Sequence, residues 1–384
     1  MRHFDHLPDD VRRRLFWREP EPFTRESGRD VLAVALGATL YMPGTRPRLA
    51  HDLTRRAAKG AMSSVVCLED SIADEDVPAA QANTIAQLRD LAESGGGPLV
   101  FVRVRQPEQI GQIIEGLGEH AGVLSGFVLP KFTQTSGAAF LDALDDTAAS
   151  SGHHLWAMPV MEAPEIIHRE TRDDELVAVR QLLDKHRSSV LAVRTGATDL
   201  CGFYGIRRGR DLSIYDVRLV ADVINHVVNI LGRADGTGFV VTGPVWEYYG
   251  GNERLFKPRL REAPFEAHDA EDLRHTLITK DLDGLIREVV LDTANGLTGK
   301  TVIHPSHVGV VHALSVVTHE EFVDASDVLG TDAGGAAASS YRNKMNESRP
   351  HRAWAERILT RAKVFGVAEA DVGFVDLLAA GDGW

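Results

Sequence analysis

Only two cysteines, Cys67 and Cys201, occur in the 384 residues. They lie far apart and match no metal-binding spacing, which argues against a thiolate metal site or a disulfide framework. Reduced, buried thiols in a cytoplasmic protein are the expectation. No motif supports a catalytic cysteine. The chain also lacks any apolar run long enough to span a bilayer. Its opening stretch, MRHFDHLPDDVRRRLFW, is charged throughout and lacks the layout of a signal peptide. Basic excess is missing too: the net charge of -13 argues against a nucleic-acid footprint. No Gly-rich phosphate loop follows the first strand. GLGEH at 116–120 lacks the G-x-G-x-x-G form and follows a helical pattern. No internal repeat is visible.

What the chain does have is a series of short apolar runs alternating with helical patterns. Leu155–Pro164 (LWAMPVMEAP) and Val190–Leu200 (VLAVRTGATDL) are of strand length, and each carries one acid at its end, Glu162 and Asp199. Continuous apolar runs of this kind fit strands buried on both faces of a parallel sheet. Six further segments read as strands: Val31–Tyr41, Ser63–Leu68, Leu99–Arg105, Gly126–Leu129, Gly238–Val245 and Lys300–Ile303. Helical patterns separate them, among them Pro78–Glu93, Ala138–Ser150, Arg172–His186, Tyr215–Leu231 and Ala270–Asn295.

Eight strands alternating with helices predict an α/β protein, a TIM (β/α)8 barrel. An N-terminal arm (1–30) precedes the barrel (31–317), and a C-terminal helical extension or lid (318–384) follows it. Gly330–Ser340, rich in Gly and Ala, reads as a flexible hinge or loop. The extension could close over the barrel mouth, pack on a neighbouring subunit, or stabilise the outside. Trp246 to about Ala267 reads as a long loop.

On this fold the carboxyl ends of the strands carry Pro43-Gly44, Glu69, Asp70, Arg103, Lys131, Glu162 and Asp199. Carboxylates crowded in this way repel unless protonation or a cation relieves them. A divalent ion is the simpler answer, and Mg²⁺ asks for only one or two protein carboxylates. Arg103 would then match a substrate carboxylate or polarised carbonyl. A salt bridge from Arg103 to Glu69 or Asp70 is the purely structural alternative.

Seven motifs fall in one order: LYMPGTRPR (40–48), VVCLEDSI (65–72), VRV (102–104), LPK (129–131), Met161-Glu162, GATDL (196–200) and GKTVIHPSHV (299–308). In that order the sequence resembles the citrate lyase β-subunit and malyl-CoA lyase group of the HpcH/HpaI aldolase superfamily. KMNESRPHRAWAERIL (344–359) is similar to that group's closing helix. The resemblance implies a Mg²⁺-dependent carbon–carbon lyase working through a metal-stabilised enolate next to a 2-oxo acid. It implies Glu162 and Asp199 as metal ligands, Glu69 and Asp70 as holders of metal-bound waters, and Arg103 on the substrate oxygen. Pro43, Gly44 and Lys131 would line the pocket, and His304 would be structural or pocket-lining. In malyl-CoA lyases a proton-transferring acid comes from a neighbouring subunit's C-terminal segment, where Asp324 and Asp327 are candidates here. A homo-oligomer, trimer or hexamer, follows from the same likeness.

This sequence departs from the group at Ala79–Asn83 (AAQAN), where relatives carry a basic contact. The long aromatic loop WEYYGGNERLFK (246–257) and the N-terminal arm are further departures. These leave the metal site intact and put the coenzyme A thioester in question. Two rival functions remain: a class II 2-oxo acid aldolase acting on free acids without coenzyme A, and a non-catalytic barrel subunit of a biosynthetic complex.

Overall fold

The computed structural model describes residues 1–95, 97–249, 272–273, 282–330 and 335–381. Most of the predicted loop after Trp246, from residue 250 onward, and the first part of the helix expected from Ala270 lie outside these residues. So does part of the Gly330–Ser340 segment.

Two short strands flank the main sheet in sequence, β1 (Phe16–Arg18) near the start and β12 (Val367–Ala368) near the end, and a hairpin of β10 (Ala336–Ala338) and β11 (Met345–Glu347) precedes β12. The main sheet is built from β2 (Ala38–Pro43), β3 (Ser63–Cys67), β4 (Leu99–Arg103), β5 (Gly126–Leu129), β6 (Trp156–Met161), β7 (Val193–Thr195), β8 (Val241–Thr242) and β9 (Lys300–Val302). These eight run parallel in the order β8-β7-β6-β5-β4-β3-β2-β9. A parallel bridge between Gly243 and Lys300 joins the two ends of that order and closes the barrel. The strands are short and almost wholly buried because helices cover their outer faces. Val220, Val223, Ile224 and Val227 show how this is done: at helical spacing along Arg218–Leu231, they turn one apolar stripe inward. Among the described residues no helix is long and apolar enough to cross a membrane.

The predicted TIM barrel is therefore observed, and the register tells which side chains share its mouth. Val160 pairs with Arg194 and Met161 with Thr195, so Glu162 and Gly196 follow at one level. Cys67 pairs with Arg103, so Glu69 and Asp70 lie just beyond Arg103.

Two expectations change. Val31–Tyr41 is not one strand: Arg29–Ala35 is a helix, and the strand begins at Ala38. Gly37 makes the corner at φ +49, where a Cβ would come within 2.7 Å of the His312 ring. Val190–Leu200 likewise divides into β7 and a short helix, Ala197–Phe203, which places Asp199 in a first helical turn.

The two ends of the chain also take a definite place. The C-terminal helix Arg352–Phe365 does not close the mouth of its own barrel. It packs on the helix Arg29–Ala35, at the amino-terminal end of the strands. Phe365 sits against His3 and His312, and Arg357 donates to the Gly232 carbonyl at the end of the helix Arg218–Leu231. The N-terminal segment is also tied down. Its strand β1 pairs antiparallel with β12, and the Met1 amino group donates to the Phe23 carbonyl at 2.8 Å. A small second core, including Val317, Ala325, Ala355 and Ile358, holds this appendage together.

Candidate active site

A cavity of about 740 Å³ opens at the carboxyl ends of the strands. Its wall includes Pro43, Asp70, Arg103, Glu162 and Asp199. Five of the eight predicted residues thus meet on one surface. Glu69 and Lys131 are not on the wall, although both touch residues that are. Gly44 is also absent from it. A Cβ there would approach Leu68 at 2.6 Å and Thr84 at 2.8 Å, so Gly44 serves the close packing of the β2 turn against the helix Val77–Glu93.

Arg103 organises the acids. Its Nη2 lies 2.7 Å from Glu162 Oε1, 2.8 Å from Glu69 Oε2 and 3.1 Å from Asp70 Oδ2. Burial works against its charge, but Glu162 and Glu69 overcome this and hold the guanidinium pKa above its ordinary value. Lys131 supplies the second cation, with Nζ 2.5 Å from Glu69 Oε1 and 3.0 Å from Asp70 Oδ1. Its backbone N–H donates to Glu162 Oε1 at 3.1 Å. Lys131 adopts φ +46, a left-handed conformation uncommon for a side-chain-bearing residue. That conformation accompanies the turn in which its N–H and its ammonium reach different carboxylates. Nothing in the residue pattern around LPK points to the backbone role.

Glu162 is 1% exposed. Burial, opposed by Arg103 and assisted by Asp199, pushes its carboxyl up to about 7. Asp199 is within hydrogen-bonding reach of Glu162, and burial together with the charge of Asp70 raises its pKa as well. Burial also raises Glu69, aided by its contact with Asp70. Asp70 behaves oppositely: burial would raise it, but its hydrogen bond with Glu69, together with Arg103 and Lys131, holds it below the ordinary carboxylate range. Gly196 makes the pairing of Glu162 with Asp199 possible, since a Cβ there would fall 2.0 Å from Glu162 Oε2.

This donor set suits a hard cation. Glu162 and Asp199 offer only oxygen, they disfavour joint ionisation while no cation is present, and a cavity adjoins them. Among the described residues no group of three or more His, Cys, Asp and Glu forms a cage. Two carboxylates with water and substrate completing the sphere is the arrangement Mg²⁺ uses.

Several other expectations find a definite place. His304 lies outside this cavity. It stacks on Tyr249 at 4.7 Å, bonds Ser306 Oγ at 2.7 Å, and borders a separate cavity of about 480 Å³. Asp324 is buried within its own chain, accepts from Ser339 at 2.6 Å and Asn346 at 2.8 Å, and pairs with Lys344 Nζ at 2.7 Å. Asp327 accepts from Ser340 Oγ at 2.7 Å. Asn83, at the end of the stretch Ala79–Asn83, donates to the carbonyls of Gly44 at 2.6 Å and Arg46 at 3.0 Å. Both cysteines are free and buried, and Cys67 borders the main cavity. Sequence reasoning passed over Arg194, Tyr41 and Thr301, which also line it. A charge inside the apolar run VLAVRTG was the available signal for Arg194.

A closed parallel barrel that gathers acids and a guanidinium at the carboxyl ends of its strands has the architecture of the (β/α)8 enzymes. The chain belongs to the carbon–carbon bond lyases of the TIM-barrel fold, whose family model matches residues 30–367. The likeness to the citrate lyase β-subunit group, first drawn from short motifs, therefore holds at the level of the family. Solved structures agree in fold. CitE of Mycobacterium tuberculosis, in complex with magnesium, acetoacetate and coenzyme A, is 20% identical. It covers 88% of this chain and 99% of its own, with a TM-score of 0.52. Malate synthase of Haloferax volcanii, in a magnesium and glyoxylate complex, is 13% identical, with 71% and 73% covered and a TM-score of 0.50. None of the curated proteins compared by sequence matches this chain.

Proposed function

We propose that this lyase uses Mg²⁺, held by Glu162 and Asp199, to cleave or form a carbon–carbon bond next to a 2-oxo acid. The observation that carries the reading is the buried Glu162 carboxyl facing Asp199 above Gly196, where any side chain would intrude. The magnesium in both solved complexes named above agrees with the choice of ion. When bound, the ion supplies Lewis-acid polarisation of the substrate carbonyl.

The chain's own residues do the rest. Arg103, fixed by three carboxylates, offers a guanidinium on the cavity wall where negative charge develops on a substrate oxygen. Glu69 and Asp70 orient Arg103 and Lys131 and would hold waters beside the ion. Pro43 shapes the wall at the end of β2, and Lys131 positions Glu162 through its backbone N–H.

A free-acid substrate is favoured over a coenzyme A thioester by one observation. The stretch Ala79–Asn83 holds no Lys or Arg, and Asn83 spends its side chain on the backbone of Gly44 and Arg46. Calorimetric titration with Mg²⁺, pyruvate and coenzyme A separates these readings. Mg²⁺ is expected to bind the wild type and to lose at least about tenfold in affinity in Glu162→Gln, consistent with removing one charged ligand. Unchanged Mg²⁺ affinity in that variant would sink the metal assignment. Tight coenzyme A binding would return the thioester reading.

A further inference from the structure

Arg194 lies on β7, two residues before Gly196, with its side chain inside the barrel. It is 1% exposed and borders the main cavity. Its contacts come from across the barrel. Nη2 donates to Thr301 Oγ1 on β9 at 2.6 Å, and Nη1 reaches Thr39 Oγ1 on β2 at 3.4 Å. Met158 Sδ on β6 is 3.8 Å from Nη1, and the guanidinium carbon stands 5.4 Å from the centre of the Tyr41 ring. Nε has no partner. No carboxylate among the described residues pairs with this guanidinium, whereas Arg103 has three.

A barrel interior is normally filled by uncharged side chains. Burying a guanidinium is costly, and hydroxyl groups and an aromatic face do not neutralise it. A residue kept only to fill space would not need the charge. The cation therefore calls for an anion that the protein itself does not supply, and the adjoining cavity is where such an anion can enter.

Depth indicates what that anion is attached to. Arg194 pairs with Val160, and Glu162 lies two residues further along the same strand. At about 3.3 Å per residue the guanidinium's backbone sits about 7 Å deeper in the barrel than the acids of the mouth. A substrate whose 2-oxo acid head engages Glu162, Asp199 and Arg103 would extend its tail toward that floor. A planar, singly charged group matches one guanidinium flanked by hydroxyls, while a doubly charged phosphate would call for more cations.

We infer that Arg194 is a specificity-determining residue that binds a second carboxylate, at the tail of a short dicarboxylic 2-oxo or hydroxy acid. This rests on the proposed lyase reading for the placement of the head group, and it names the substrate class of that same site.

The test uses the full chain and paired ligands that differ by a terminal carboxylate in place of a methyl group. The pairs are oxaloacetate against 2-oxobutyrate and 2-oxoglutarate against 2-oxopentanoate. Calorimetry is run with and without Mg²⁺. The wild type is expected to prefer the dicarboxylate of at least one pair by about thirtyfold, as a charge-assisted pair in a dry site implies. Arg194→Met is expected to reduce that preference to about threefold or less, chiefly through weaker binding of the dicarboxylate. Arg194→Lys, which keeps the charge and loses the fork, is expected to fall between. A wild type with no preference in either pair overturns the inference, as does a preference that survives in Arg194→Met. If the methionine variant does not fold, the wild-type pairs and the lysine variant decide. The two readings fail separately. Loss of the tail preference with Mg²⁺-dependent pyruvate binding intact spares the lyase proposal. A tail preference that is equal with and without Mg²⁺ spares Arg194 and counts against the metal.

Discussion

At the scale of single residues, the site is a problem of charge in a confined space. Glu162 is held in the fold with its pKa raised from the ordinary 4.5 to about 7. Between those values the folded chain keeps a proton that the unfolded chain has already released. Stability of the metal-free protein should therefore fall as pH rises from about 5 to about 8, by roughly 1–3 kcal/mol. Denaturant titrations across that range check this, and Glu162→Gln should flatten the profile. Mg²⁺ would be expected to restore stability most strongly at the alkaline end, where the carboxylates are ionised. A profile that rises with pH in the metal-free wild type would contradict the burial of Glu162 as the governing cost. Sequence position alone made Glu162 and Asp199 visible as candidates, because an acid just past a buried strand lies at the mouth of the sheet. It could not make Gly44 distinguishable from a wall residue, since a glycine's task depends on what faces it.

At the scale of elements, the important feature is how closely neighbouring segments approach. Gly196 stands between β7 and the helix Ala197–Phe203, against Glu162 Oε2. Gly196→Ala should displace that carboxylate, at a cost of about 1–3 kcal/mol in stability by overpacking. It should also weaken Mg²⁺ binding, with far-ultraviolet circular dichroism unchanged. Thermal melts together with Mg²⁺ titration measure both effects, and an alanine variant with wild-type Mg²⁺ affinity would refute the cradle. Element boundaries show where sequence patterning stops being sufficient. VLAVALGATLY is apolar throughout, so neither a period of two nor one of 3.6 separates its helix from its strand. Gly37 separates them, and its positive φ is set by the packing of His312 and Phe365 around it. The opposite case is Arg218–Leu231, where the helical stripe is clear and the element lies close to where the pattern places it.

At the scale of the whole molecule, the two ends of the chain form one structure beneath the barrel. Phe4, Phe16 and Phe23 are buried, and β1 is held by β12. Deleting residues 1–18 should expose the Phe365 and His312 surface and cost several kcal/mol of apolar burial. A fall in melting temperature of about 5 °C or more is expected, or insoluble protein. Calorimetry of the truncated chain tests this, and an unchanged melting temperature would show that the segment is a loose arm after all.

The sequence by itself determined the barrel, because strand count, alternation and buried apolar runs are local patterns that one packing scheme satisfies. It also determined which acids are candidates, since a carboxylate after a buried strand can only lie at the sheet's end. Only the tertiary structure decided that Arg103 holds three of those acids, that Lys131 reaches them through both backbone and side chain, and that Arg194 has no acid. It alone decided that the C-terminal helix lies under the strands rather than over the mouth. Each of these depends on distances between residues far apart in the chain, and those distances are fixed by barrel closure and packing rather than by any local preference.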